Sequence, residues 1–236
     1  MSDERCCVPP LQLLRLQSWL SPTFPIGSYS YSHGLEWAVE AGHVRDRKSL
    51  VDWLEADLCY GSGRNDAIFF SEAWRCAAVD DRAKLFDVAE LAGAFRGTSE
   101  LALEASQQGS ACLATLRQVW PDRVLDWLAE ILRERRVAPA LAVVLGIASA
   151  RQGIQVSLAL PAFLQSYIAN LVTAGVRLIP LGQTDGQLAI AGLEGAVRAA
   201  STEAEKCTID DLGSAAFMVD LASMAHETQY TRLFRS

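Results

Sequence analysis

Apolar residues recur along this chain at steps of three and four, the spacing that gathers them on one face of an α-helix. Leu11, Leu13, Leu14, Leu16, Trp19 and Leu20 open the pattern, which stops at Ser21-Pro22. The stretch Ser21-Pro22-Thr23-Phe24-Pro25-Ile26-Gly27-Ser28 predicts a loop, because two prolines and a glycine cannot continue a helix. A second helix is expected from residues 30–32 through Leu35, Trp37 and Val39 to Gly42, a C-cap residue. Asp46 or Ser49 can cap a third, which carries Leu50, Trp53, Leu54 and Leu58 and is stopped by Gly61-Ser62-Gly63. Asn65 or Asp66 is expected to cap the next, with Ile68, Phe69 and Trp74. Another covers Leu85, Phe86, Val88 and Leu91. Thr98 or Ser99 opens a longer helix through Leu101, Leu103, Cys112, Leu113 and Leu116. Pro121 suits the first turn of one with Val124, Leu125, Leu128 and Leu132 at helical steps.

Pro139 and Pro161 suit helix starts in the same way. Residues 139–150 are apolar on all sides, which predicts a central, buried helix, and residues 161–175 resemble them. Two further helices are expected at 184–202 and 210–228. No stretch alternates for long, and Asp185-Gly186 lacks β-branched runs on its flanks, so strands are not expected. The reading is one all-α domain over residues 1–236, of about ten helices around a buried central one. A flexible arm (about 1–10) and a C-terminal tail (about 226–236) flank it.

Half of the residues are hydrophobic and 21% are charged, which suits a sizeable core and excludes wholesale disorder. Net charge is −7, and only Lys48, Lys84 and Lys206 among the 21 basic residues are lysines. No basic cluster exists to follow a phosphate backbone, so nucleic acid is not an expected partner. The start, Met1-Ser2-Asp3-Glu4-Arg5, is acidic and lacks the apolar segment of a signal peptide. The longest nearly uncharged stretch, 137–150, is too short to span a bilayer. These features point to a cytoplasmic protein with no membrane contact. The six cysteines (Cys6, Cys7, Cys59, Cys76, Cys112, Cys207) form no CxxC pair and read as small core fillers. Cys6-Cys7 is the exception, yet two thiols alone do not make a metal site.

Motifs for chemistry are absent. There is no GxxxxGK[ST], no GxSxG and no SxxK, and Gly61-Ser62-Gly63 lacks the strand and third glycine of a dinucleotide fingerprint. His226-Glu227-Thr228-Gln229-Tyr230 is a near miss for the zinc-protease pattern, with Tyr230 where the second imidazole should stand. Instead, His226 and Tyr230 could share one face of a helix that meets a partner. His33 lies three residues before Glu36, and both would project from one helix face, either to move a proton or as a polar pair at a helix start. His43 reads as a solvated loop residue. No catalytic residue, cofactor or metal is expected. Tyr29 and Tyr31 follow the Pro-stiffened loop, either as interface side chains or as a staple at the start of the helix.

The tail interleaves Tyr230, Leu233 and Phe234 with Arg232 and Arg235. Aromatic area and guanidinium forks are the vocabulary of a docking surface. The alternative is a final segment that closes the core with Leu233 and Phe234.

Three stretches together carry a resemblance. Ser21-Pro22-Thr23-Phe24-Pro25-Ile26-Gly27-Ser28-Tyr29-Ser30-Tyr31-Ser32-His33-Gly34-Leu35-Glu36 is similar to the N-terminal signature of the UreF family of urease accessory proteins. Ala174-Gly175-Val176-Arg177-Leu178-Ile179-Pro180-Leu181-Gly182-Gln183 resembles its second landmark, and His226-Glu227-Thr228-Gln229-Tyr230-Thr231-Arg232-Leu233-Phe234-Arg235-Ser236 its third. They fall in the family's order, so the resemblance covers nearly the whole chain. It implies an all-α, homodimeric protein without a catalytic centre of its own. Such a protein binds a UreD-type (also UreH-type) scaffold and recruits a UreG-type GTPase, and the assembly helps GTP-dependent nickel insertion into apo-urease.

By the same resemblance, partner contacts fall on Tyr29, Tyr31, His33, Glu36, Arg177, Gln183, His226, Glu227, Tyr230, Arg232, Leu233, Phe234 and Arg235, with a tail that orders on binding the scaffold. The chain departs from the family at His33, where Gln is frequent, and at Ala102, near which many members have Arg. Glu100, Glu104 and Gly109 fit. A rival reading is a GTPase-activating regulator that inserts Arg177, Arg232 or Arg235 into the UreG-type site. A third is a free-standing helical enzyme.

Overall fold

Residues 141–151 are apolar on every face and form the helix at the centre of the body. The computed structural model describes residues 10–236, so Cys6 and Cys7 lie outside the described residues. Those residues form eleven α-helices, two 3₁₀ turns and no strand. The helices are α1 (Pro10–Trp19), α2 (Leu35–Glu40), α3 (Arg47–Tyr60), α4 (Ser62–Ala78), α5 (Arg82–Ala94), α6 (Ser99–Val119), α7 (Arg123–Arg135), α8 (Leu141–Arg151), α9 (Val156–Leu178), α10 (Gln183–Ala204) and α11 (Phe217–His226). The 3₁₀ turns are Ser28–Ser30 and Ile209–Asp211.

In α8 every residue from Ala142 to Ser149 is buried, against α4 and α6 above all. Burial of Val143, Val144, Leu145 and Ile147 contributes about 1.5–3 kcal/mol each relative to exposure. Glycines permit the close crossings. A Cβ on Gly146 would stand 2.5 Å from the Phe70 carbonyl of α4, and one on Gly109 of α6 would stand 2.1 Å from the Pro139 carbonyl. Helix α9 is the one described helix long and apolar enough to cross a membrane. Its face with Leu160, Phe163, Leu164, Ile168 and Leu171 is buried in the body, against α10, α4 and α2. All the helices share one core, which Phe234 of the tail joins.

Several element ends differ from the sequence expectation, each for a local reason. Helix α2 starts at Leu35, not at residues 30–32, because His33 (φ 60°) and Gly34 (φ 75°) are both left-handed. A Cβ at Gly34 would meet the Ser223 amide nitrogen at 2.6 Å, so α11 needs a glycine there. Gly61 alone separates α3 from α4, and Asn65 and Asp66 sit inside α4 rather than capping it. Their side chains serve distant partners: Asn65 Oδ1 accepts from the Gly213 amide, and Asp66 binds Arg96.

Pro161 lies inside α9, which begins five residues earlier at Val156, so the helix forgoes the bond that residue 161 would donate. Pro121 and Pro139 precede α7 and α8, whose N-caps are Asp122 and Ala140. The expected helix at 210–228 is a 3₁₀ turn, an extended stretch and α11. The Tyr60 carbonyl accepts the Ala215 and Ala216 amides, and Arg64 donates to the Asp211 carbonyl, replacing helical bonds. Asp46 with Ser49, and Thr98, cap α3 and α6 as expected.

Candidate partner-docking site

The tail folds back across α2 and α6 and brings the three sequence landmarks into one place. Glu36 of α2 accepts two successive tail amides, Leu233 N–H at 2.7 Å on Oε1 and Phe234 N–H at 2.9 Å on Oε2. His226, fully buried at the end of α11, sits between carboxylates, with Nε2 3.2 Å from Glu36 Oε2 and Nδ1 2.7 Å from Glu100 Oε2. Arg232 donates to the other oxygen of Glu100 at 2.9 Å. Ser236 Oγ donates to Glu104 Oε2 at 2.9 Å, while its carbonyl accepts the Ser32 amide at 2.6 Å and the Ser32 hydroxyl. The Arg235 amide bonds the Ser30 carbonyl at 2.8 Å. Phe234 is buried under the Arg177 guanidinium, 4.5 Å from its ring centre, and Arg177 also donates to the Tyr29 carbonyl.

A buried polar chain continues inward. His33 Nδ1 is 3.3 Å from Glu104 Oε2, and its Nε2 is 2.5 Å from Ser62 Oγ. Ser62 Oγ donates to Asp57 Oδ1, whose second oxygen accepts the Tyr167 hydroxyl at 2.6 Å. Burial opposes the His33 charge, but the Glu104 carboxylate, with Asp57 and Asp66 behind it, raises its pKa to about 9. Burial, reinforced by Asp57, pushes the Tyr167 hydroxyl well above the usual phenol range.

Arg96, also buried, pairs with Asp66 at 2.8 Å and stands between two cavities. One, about 280 Å³, is lined by Ser62, Asn65, Gly97, Ser214 and Asp220. The other, about 250 Å³, is lined by Trp19, Pro22, Ile26 and Phe163 at its apolar end and by His33, Asp66 and Glu104 at its polar end. Among the described residues no three His, Cys, Asp or Glu side chains are arranged to hold a metal ion.

The predicted site residues divide into two groups. Tyr29, Tyr230 and Leu233 face outward, exposed by 70%, 103% and 57%. Arg177, Arg232 and Arg235 are also exposed, though each contacts the body. Tyr31, His33, Glu36, His226 and Phe234 are buried and fasten the tail. Tyr31 is therefore not a surface side chain: its hydroxyl donates to Gln107 at 2.5 Å. Nor do His33 and Glu36 share a helix face, since His33 precedes α2 and turns to α6. His226 and Tyr230 do not share one either, because α11 ends at His226. The tail lies against α2 and α6, and Glu227 holds the start of α6 through the Ser99 hydroxyl at 2.6 Å. Gln183 opens α10, exposed and with no side-chain hydrogen bond among the described residues.

Sequence reasoning missed two features. Glu100, Glu104 and Gln108 form a buried polar stripe at four-residue steps on α6, a visible signal in a helix otherwise apolar on that face. The outer face of α11 exposes Phe217, Met218, Leu221 and Met224, which the sequence reading did not single out.

Fold and site define an all-α protein whose buried charges bind its own tail and whose last helix and tail carry six of the exposed large apolar side chains. The UreF family model matches residues 44–194. The chain is 50% identical over 224 residues to a urease accessory protein UreF of Rhodopseudomonas palustris (strain BisB5), covering 95% of this chain and 91% of that one. It is 47% identical to the protein of that name in Bradyrhizobium diazoefficiens, at 95% and 91% coverage. It is 48% identical to that of Xanthobacter autotrophicus, at 96% and 92%. This chain belongs to the UreF family.

Proposed function

We propose that the chain serves urease maturation in the cytoplasm as a non-catalytic adaptor. It joins a UreD/UreH-type scaffold to a UreG-type GTPase, as a homodimer, for GTP-dependent insertion of nickel, the cargo, into apo-urease. One observation carries this reading: a tail that turns Tyr230 and Leu233 to solvent, following a helix, α11, whose outer face is apolar. Exposed apolar clusters of this kind mark interaction sites. A tail already held in place avoids most of the ordering penalty of a disordered one.

The test separates docking from fastening. Tyr230→Ala and Leu233→Ala, or Leu221→Arg on α11, are expected to abolish co-purification with the scaffold while the melting temperature stays within about 1 °C, as for surface substitutions. Phe234→Ala is expected to lower it by several degrees. Scaffold binding undiminished in all three surface variants refutes the docking reading.

The rival reading, GTPase activation, rests on Arg235. Its guanidinium is exposed, with a 3.5 Å contact to Gln107 and a neutral partner in Tyr31, whereas Arg232 is bound to the Glu100 carboxyl. Loss of GTP turnover in Arg235→Ala with the complex intact supports an inserted arginine. Loss of the complex supports docking.

A further inference from the structure

The fastening of the tail is balanced by protons. Glu36, Glu100 and Glu104 present oxygens to the tail, and both ring nitrogens of His226 face carboxyl oxygens, Nε2 at Glu36 and Nδ1 at Glu100. At His33 both ring nitrogens carry hydrogens. Ser62 gives its hydroxyl proton to Asp57, so the His33 Nε2 must donate to Ser62 while Nδ1 donates to Glu104. Glu104 thus meets the His33 imidazolium and Glu100 the Arg232 guanidinium, and the pairing at Glu104 holds only while His33 is charged.

We propose that the tail is a proton-controlled strap, closed while His33 is an imidazolium and released from Phe234 to Ser236 when it becomes neutral. Neutral His33 leaves Glu104 buried without its cation. Such a carboxylate is relieved most cheaply by admitting water, and its removable cover is Ser236, held on Glu104 and Ser32. The other groups facing His33 deepen the imbalance. Asp57 comes from α3 and Asp66 from α4, while the Tyr167 ring of α9 stands edge-on at 5.6 Å. Arg96 is committed to Asp66. On the tail side His226 lies between Glu36 and Glu100, and Arg232 is committed to Glu100. Strained backbone accompanies the switch, for His33 holds φ 60° outside any helix.

The strap is read by ¹⁹F NMR on the full chain carrying 4-fluorophenylalanine at its eight Phe positions, with Phe234 assigned by Phe234→Leu. Between pH 7 and 10 the Phe234 resonance alone is expected to move to a solvent-exposed position. Its midpoint should lie near the raised pKa of His33, about 9. In the double variant His33→Gln, Glu104→Gln, a neutral pair of similar shape, Phe234 should stay buried through pH 10. Three outcomes overturn the proposal: Phe234 buried at pH 10 in the unmodified chain, the same midpoint in the double variant, or all eight resonances moving together as the body unfolds.

Discussion

Replacing Glu36 by Gln changes one atom at the point where the tail is held and tests whether charge does the holding. Glu36 is 7% exposed and receives three donors, the Leu233 and Phe234 amides and His226 Nε2. A Gln amide in either orientation turns an NH₂ group toward at least one of them. A charged hydrogen bond contributes about 1.5–3 kcal/mol, and a donor set against a donor removes one such bond and strains its neighbour. Water can reach the tail, which limits the loss, so about 3 kcal/mol is expected. At about 2.1 cal/mol/K per residue, 236 residues carry an unfolding entropy of about 0.5 kcal/mol/K, so a global loss of that size lowers the melting temperature by about 6 °C. The sharper assay is hydrogen exchange at Leu233 and Phe234. Their amides should lose about a hundredfold of protection, at 1.4 kcal/mol per tenfold, while amides in α8 keep theirs. Unchanged protection at both amides would show that Glu36 does not fasten the tail.

Stability should also fall with rising pH. His33 has a folded pKa of about 9 against an ordinary 6.5. Its contribution, about 3 kcal/mol at 1.36 kcal/mol per unit, is therefore complete below pH 6.5 and lost as pH rises through 9. Urea unfolding at fixed ionic strength reads this slope, and His33→Gln should flatten it. Gly109→Ala forces a Cβ against the Pro139 carbonyl and should remove at least about 3 kcal/mol or prevent folding, as strong overpacking does. Gly192→Ala, in α10 with nothing within 4 Å of its Cβ, should raise stability by up to about 1 kcal/mol in the same assay. Arg96→Met strands Asp66 and should destabilise by about 3–5 kcal/mol, with much of the loss recovered when Asp66→Asn is added.

The helical body was legible because its signals are local. Three- and four-residue apolar steps, Asp46 and Thr98 as caps and an apolar segment at 141–151 state their structure without reference to distant residues. The misread boundaries depend on partners far along the chain. Asn65 and Asp66 look like caps until Gly213 and Arg96 claim them, and residues 212–216 look helical until the Tyr60 carbonyl takes the amides of Ala215 and Ala216. The site follows the same rule. Tyr29 and Tyr230 are exposed, the first of two alternatives for Tyr29, while Tyr230 stands beyond the end of α11 rather than on a helix face. The direction of Phe234, His226 and Glu36 is decided by contacts across 126 to 198 positions, as in His226 with Glu100 and Phe234 with Glu36, which no local pattern encodes. Phe217, Leu221 and Met224 recur at helical spacing like core residues, and only the missing neighbour on that side of α11 makes them surface.

Body and tail are held by different physics, and the difference suits an adaptor. In the body, close-packed apolar side chains and glycine crossings give one arrangement that changes only by unfolding. In the tail Phe234 is the one large apolar side chain buried, and the rest of the attachment is charge and backbone hydrogen bonding. Buried ion pairs add little net stability over an apolar substitute, but they fix geometry, because an unmatched charge is penalised heavily. Here the geometry fixed is register. Glu36 grips the amides of residues 233 and 234 together, so a slip of one residue would break both bonds and carry Arg232 away from Glu100. That register decides which tail side chains face outward. Tyr230 and Leu233 are presented because Arg232 and Phe234 are held. A strap of this kind displays a defined surface while closed and detaches without disturbing α8, so docking and release can be controlled at the tail alone.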